Sequence, residues 1–161
     1  MMHWTIGVSS CGVLPGNEEQ EKLTMPDRYQ GGCHCGSVKY ACSAPPELTF
    51  YCHCNDCQRI AGSPFSVELM VPSDAFEVRG EFGTYTVKGD SGKPVHRFFC
   101  PHCGSGIYLE CEADPGYVFL KVGTLDDASW VKPDMHIFTA AKQPWVGLED
   151  SLPEYDKVPE E

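Results

Sequence analysis

The chain lacks any apolar run near the ~20 residues that a membrane-spanning helix requires. Its longest apolar stretches, Phe65–Val71 and Tyr117–Val122, are strand-length and interrupted by charge. A basic tract is missing too. Of 161 residues, 23 are Asp or Glu and 12 are Lys or Arg, giving a net charge of −11. Residues 29–147 hold thirteen acids against nine bases, and residues 148–161 hold six against one. Nucleic-acid binding therefore lacks its main source of affinity, cations that neutralise phosphates. Residues 1–14 show no basic segment leading into a sustained apolar one, as an export signal would. The expectation is a soluble protein of the cytoplasm, with neither membrane nor nucleic acid as partner, in a compartment that keeps thiols reduced. The sequence carries no signal for oligomeric state.

Helix signals are scarce. Alternating apolar and polar residues dominate from Gly31 onward, as in Val38, Tyr40 and Cys42 set against Lys39 and Ala41. Further strands are expected over Leu48–Cys52, Phe65–Val71, Phe76–Arg79, Phe82–Lys88, Val95–Cys100, Gly106–Glu110, Tyr117–Val122 and His136–Thr139. Gly89–Pro94 reads as a turn between two of them. One short helix is expected over Asn55–Ala61, capped by Asn55 or Asp56 and ended by Gly62. A second short turn is expected over Leu125–Trp130. The fold class is all-β, meaning mainly β with one or two short helices. Residues 1–27 read as a flexible extension, 28–147 as the working domain, and 148–161 as an acidic tail that packs in part through Leu152 and Tyr155.

What the chain does have is cysteine in an uneven distribution. Seven of its ten cysteines fall into three groups: Cys33-His-Cys35-Gly, Cys52-His-Cys54-Asn-Asp-Cys57 and Cys100-Pro-His-Cys103-Gly. Cys-Xaa-Cys and Cys-Xaa-Xaa-Cys pairs turn both sulfurs the same way, which suits a metal better than a disulfide. The cysteine content is also below the roughly 8–10% of a disulfide scaffold. A closed structural zinc site needs four protein ligands, and the first and third groups supply two each. A catalytic site needs three and a vacancy, and the middle group supplies three. A fourth ligand for the middle group could come from water, substrate, Cys42, Cys111, His53, His96, His102 or His136. With the fourth position open, zinc lowers the pKa of an incoming thiol or water. Three thiolates and Zn²⁺ sum to −1, so an arriving thiolate favours a nearby cation, and Arg59 follows Cys57 by two residues. Gly104 can adopt the positive φ that a zinc knuckle's turn wants.

These residues carry a family resemblance. Gly31-Gly-Cys-His-Cys-Gly-Ser-Val-Lys-Tyr40, Cys52-His-Cys-Asn-Asp-Cys-Gln-Arg59 and Phe99-Cys-Pro-His-Cys-Gly104, in this order, resemble the glutathione-dependent formaldehyde-activating enzyme family, which includes centromere protein V. Val122-Gly-Thr-Leu-Asp-Asp127, Pro133-Asp-Met-His-Ile137 and the later Trp145 fit the same pattern, so the likeness spans about residues 28–155. The resemblance implies an Mss4-like zinc-containing fold of coiled β-sheets and two zinc ions. Cys33, Cys35, Cys100 and Cys103 would hold the structural zinc, and Cys52, Cys54 and Cys57 the catalytic one. It implies carbon–sulfur lyase chemistry, with glutathione as cosubstrate and formaldehyde or another small aldehyde joined in an S-hydroxymethyl-type adduct. Arg59, Arg97 and Lys121 are the expected partners of glutathione's carboxylates. His53 and His136 are candidates for proton transfer, weighed against a packing role. The competing expectation is a non-enzymatic, zinc-stabilised interaction module, which a fourth protein ligand on the middle group would favour. A chromatin role like that of centromere protein V would need a basic surface, and this chain is acidic.

Overall fold

The computed structural model describes residues 28–148 and 151–159. The expected extension over 1–27, with Cys11, lies outside them. The fold is mainly β. Its strands are β1 (Tyr29–Gly32), β2 (Lys39–Cys42), β3 (Leu48–Cys52), β4 (Ser66–Pro72), β5 (Phe76–Arg79), β6 (Gly83–Lys88), β7 (Pro94–Phe99), β8 (Gly106–Cys111), β9 (Tyr117–Lys121) and β10 (Met135–Ile137). Three form a small sheet in the order β1-β2-β5, and seven form a large one in the order β10-β3-β4-β9-β8-β7-β6. Neighbours pair antiparallel except β10, which runs parallel to β3.

Side chains alternate across the large sheet, so its two faces bury different sets of residues. One face packs on the small sheet through Leu69, Val71, Ile107, Val118 and Leu120, against Tyr29, Val38 and Tyr40. The opposite face gathers Phe50, Val95, Leu109, Phe119 and Ile137 into a second core. Cys33, Cys100 and Cys103 belong to the first core, and Cys52, Cys54 and Cys57 to the second. The cysteine groups thus sit on opposite faces of one sheet.

The single α-helix among the described residues, α1, spans Asn55–Ala61 and ends at Gly62 in the left-handed conformation. Its N-cap is neither Asn55 nor Asp56. It is Cys54, whose sulfur accepts from the backbone N–H of Cys57 at 3.3 Å. A thiolate-capable side chain takes the place of the usual hydroxyl or carboxamide oxygen, and the N–H dipoles there favour its negative charge.

Two other expectations are corrected. The β structure begins two residues earlier than Gly31, at Tyr29, and Gly31 and Gly32 continue β1. The turn expected over Leu125–Trp130 closes late in that stretch, where Val131 N–H donates to the Ala128 carbonyl at 3.1 Å; ahead of it a 3₁₀ turn forms over Val122–Thr124, and Leu125 bridges to Gly31. Asp127 opens that turn, its carboxylate accepting from the Ser129 N–H at 2.9 Å. The strand expected over His136–Thr139 stops at Ile137, because Phe138 turns to φ 57° and Thr139–Ala141 form another 3₁₀ turn. Residues from Pro153 to Lys157 run beside β10. The N–H groups of His136 and Phe138 donate to the carbonyls of Pro153 and Lys157, and Tyr155 N–H donates back to His136.

Candidate metal centres

The first centre joins Cys33 and Cys35 from the β1–β2 turn to Cys100 and Cys103 after β7. Their four sulfurs lie within 4.8 Å of one another. The Cys35 sulfur is 3.5 Å from that of Cys33 and 3.7 Å from that of Cys100. Two sulfurs bound about 2.3 Å from one tetrahedral ion stand about 3.8 Å apart, so this donor set fits a metal. Small neutral groups complete the nest. Val38 N–H donates to the Cys33 sulfur at 3.2 Å, and the hydroxyls of Ser37 and Ser105 lie 3.2 and 3.3 Å from the Cys35 and Cys103 sulfurs. Ser105 also accepts from the His34 N–H at 3.1 Å, tying one knuckle to the other. Gly104 adopts φ 74° while its N–H donates to the Cys100 carbonyl, the turn expected of the knuckle. The hydrogen bonds from Ser105 pull the Cys103 thiol down, which favours thiolate.

The second centre is local in sequence. Cys52 ends β3, Cys54 caps α1, and Cys57 lies in the helix's first turn; their sulfurs also lie within 4.8 Å of one another. Among the described residues no fourth His, Cys, Asp or Glu joins that group. Hydrogen bonds from Cys52 and Cys57 pull the Cys54 thiol down, with burial opposing them and the Arg97 charge assisting. Hydrogen bonds with Cys54 and Cys57, then burial, push Cys52 up. One sulfur therefore yields its proton most readily, as a metal ligand must.

Unlike the first, this centre is surrounded by buried charge. Glu68 is 3% exposed, and its Oε1 lies 3.7 Å from the Cys57 sulfur. Glu68 stands directly across from Lys121 in the β4–β9 register, and the two form an ion pair. Lys121 also donates to Ser66 Oγ at 2.8 Å. Burial pushes Glu68 up, against the Lys121 charge that pulls it down. Burial would lower Lys121, but Glu68 and Cys57 hold its ammonium above the ordinary lysine range. The pair is a close, charged, cross-strand contact, and the Arg97 charge further favours the Glu68 carboxylate.

Arg97 is 7% exposed and interacts with the Cys57 sulfur, which holds the guanidinium above its ordinary value although burial opposes this. Its Nε and Nη1 are buried with no hydrogen-bond partner. Buried donors of this kind are uncommon, and each calls for an explanation.

The structure distributes the other candidate residues differently. Arg59 lies exposed in the last turn of α1, so the cation beside the triad is Arg97 instead. Lys121 is committed to Glu68 and Ser66 rather than held out to solvent. His53 and His136 are buried, with His53 Nε2 and His136 Nδ1 3.0 Å apart and His136 stacked on Tyr51. Burial, then His136, holds His53 below the ordinary histidine range. The pair braces the segment that carries the triad, as does Gln58, which donates to the His53 and Ala141 carbonyls at 2.6 and 2.9 Å. Cys42 is buried in the first core, and burial pushes Cys111 up to about 12. His34 and His102 are exposed; His96 is partly buried and bonded to Thr86 and Glu112.

Sequence reasoning missed Glu68. Its signal was available: in Ser66-Val-Glu-Leu-Met a carboxylate occupies the same strand face as Ser66 and Met70, on a strand with few other polar residues.

Residues 28–141 match the family described as glutathione-dependent formaldehyde-activating enzyme. The chain belongs to this family. Relatives bearing that name provisionally include a protein of Halomonas elongata, 26% identical over 126 residues, which are 74% of this chain and 80% of the relative. Another, from Penicillium rubens, is 28% identical over 138 residues, which are 81% of this chain and 67% of the relative. A crystal structure of a Rhodobacter sphaeroides protein superposes with a TM-score of 0.47 at 18% identity, covering 78% of this chain and 98% of that one. Among the described residues no helix is long and apolar enough to cross a membrane.

Proposed function

We propose that this member of the family is a zinc-dependent carbon–sulfur lyase that adds a glutathione-like thiol to a small aldehyde and reverses the addition. Cys33, Cys35, Cys100 and Cys103 hold a structural zinc, and Cys52, Cys54 and Cys57 a catalytic one. The observation that carries the reading is the buried Glu68–Lys121–Arg97 cluster, which surrounds the three-sulfur group alone. A structural metal gains nothing from ionised neighbours, and burying them costs several kcal/mol per ion unless they are well paired. A reaction that gathers negative charge does gain from them.

Bound at the triad, zinc would supply a Lewis acid at its fourth position, lowering the pKa of a thiol or polarising a carbonyl oxygen. Three thiolates, Glu68, Zn²⁺, Lys121 and Arg97 sum to zero, so an incoming thiolate meets a neutral site instead of a negative one. In the forward direction sulfur loses its proton and forms a bond to carbon. The carbonyl π pair moves to oxygen, which then takes a proton. Arg97 Nε and Nη1 are free donors for the oxygen that becomes negative. Glu68 acts through Lys121, keeping that ammonium near Cys57. The apolar side chains of Leu109 and Phe119 thin the water around these charges, which strengthens each of them.

The test is Cys54→Ser in zinc-loaded protein, with exchange between adduct and free reactants followed by NMR. The expected variant keeps its fold and one zinc per chain, and its exchange falls to the uncatalysed rate. Unchanged exchange would remove the triad from the mechanism. Arg97→Met, with both zincs retained, should lose roughly 10²-fold in kcat, the usual cost of one oxyanion donor.

A further inference from the structure

A cavity of about 310 Å³ opens beside the charged cluster. Ile60, Tyr85, Phe98 and Phe99 line it together with Arg97 and Lys121. Two of the apolar liners reach solvent: Ile60 is 39% and Tyr85 57% exposed. Its two cations are the ones that flank the triad, and one of them is already neutralised by Glu68. The other, Arg97, interacts with Cys57 and keeps two unpaired donors, in a largely aromatic space. Formaldehyde, with two heavy atoms, fills only a small part of it. Glutathione, with two carboxylates and an ammonium, finds few polar partners there. The cavity's chemistry instead fits an apolar ring attached to a carbon that bears oxygen.

Gly106 explains why the space exists. It lines the cavity, and a Cβ built on it would meet only Ile60 Cγ2, another liner, at 4.0 Å. Its φ is not in the left-handed range, so a side chain costs no backbone strain there. A larger residue at position 106 would extend into the cavity.

We propose that this cavity binds the substituent of an aldehyde carrying an aromatic or branched apolar group, and that Gly106 sets this specificity by leaving room for it. The inference rests on the carbon–sulfur reading above and narrows its electrophile. The reaction is balanced as written there: S–H adds across C=O, with the substituent as spectator.

The experiment uses zinc-loaded protein and glutathione, comparing kcat/KM for benzaldehyde and formaldehyde by exchange NMR. Benzyl alcohol and methanol serve as unreactive mimics of the two adduct carbons in equilibrium binding. Wild type should favour benzaldehyde at least tenfold, the usual worth of a filled apolar pocket. Gly106→Leu should lower that ratio at least tenfold and abolish benzyl alcohol binding. Tyr85→Ala, on an exposed strand, should lower the ratio about threefold, and it stands in if Gly106→Leu fails to fold. A wild-type ratio of one or less overturns the proposal, as does a ratio that the folded variants leave unchanged. If neither aldehyde is turned over, the carbon–sulfur reading falls, and the cavity is judged on binding alone. Saturable benzyl alcohol binding lost in Gly106→Leu upholds it, and absence of such binding, or equal binding of methanol, overturns it.

Discussion

The two cysteine centres use the same ligand chemistry on opposite faces of one sheet, and they differ in everything around the sulfur. The tetrad is assembled from two turns 65 residues apart and is dressed with backbone N–H groups and serine hydroxyls. The triad comes from a single six-residue segment and is dressed with a buried carboxylate, a buried guanidinium and a largely buried ammonium. Closing a long loop is what a structural metal does well, because the unbound chain has most entropy to lose there. A six-residue group closes almost nothing, so its metal contributes little to topology. What it gains instead is an electrostatic setting. The contrast separates holding from reacting without reference to the metal's identity.

The largest effect should therefore come from the tetrad. Cys100 is completely buried in the core between the sheets. Cys100→Ser should release the structural metal and unfold the domain near physiological temperature, read by circular dichroism and metal content. Structural zinc contributes about 10–16 kcal/mol in small domains, and a whole domain's stability is about 5–15 kcal/mol. Cys54→Ser should leave the fold largely intact. If both variants melt alike, the division of labour between the faces is wrong. Graded chelation sharpens the same point: activity should vanish with the first metal equivalent, and the circular dichroism spectrum should change only with the second.

Next comes the charged cluster. Removing one partner of a buried pair typically costs about 3–5 kcal/mol, because the other is left uncompensated, while replacing both by apolar residues is often neutral. Glu68→Leu and Lys121→Met should each destabilise by roughly that amount in thermal melts. The double variant should regain most of the stability and none of the turnover. Recovery of turnover with stability would make the pair mere packing.

How much of this was legible beforehand follows from range. Features set within a few residues were readable: the extent of α1, its end at Gly62, the strand alternation, and the two-three-two grouping of thiols. Features set by pairing across the sheet were not. Glu68, Lys121 and Arg97 lie on three strands far apart in the chain, and only the β4–β9 register puts the first two opposite each other. The cap on α1 was misassigned for a different reason. Cysteine rarely caps a helix, so Asn55 and Asp56 drew attention, although it is the Cys54 sulfur that accepts from the Cys57 N–H. Glycine weakens strands, so the start of β1 at Tyr29 was not legible from Gly31 and Gly32. In the fold, a Cβ on Gly31 would strike the Thr124 carbonyl and the Tyr40 ring, so β1 has glycine where another segment crosses it closely.

The smallest expected effect compares one glycine from each centre. Gly104 closes the tetrad's second knuckle at φ 74°, and Gly62 ends the triad's helix at φ 59°. A Cβ at either position would meet nothing within 4 Å. Alanine therefore costs only the backbone conformation, about 1–2 kcal/mol at each site. Metal affinity should respond differently. Gly104 N–H donates to the Cys100 carbonyl inside the ligand loop, so strain there opposes the geometry that gathers the sulfurs. Gly62 N–H bonds to Gln58 at the far end of α1, beyond all three thiols. Gly104→Ala should weaken zinc binding about five- to thirtyfold, the equivalent of that strain at tenfold per 1.4 kcal/mol. Gly62→Ala should lower the melting temperature, by the equivalent of about 1–2 kcal/mol, and leave both zinc affinities near wild type. Competition titration with a chromophoric chelator separates the two. Equal losses of affinity would mean that the helix end, too, belongs to the triad's metal site.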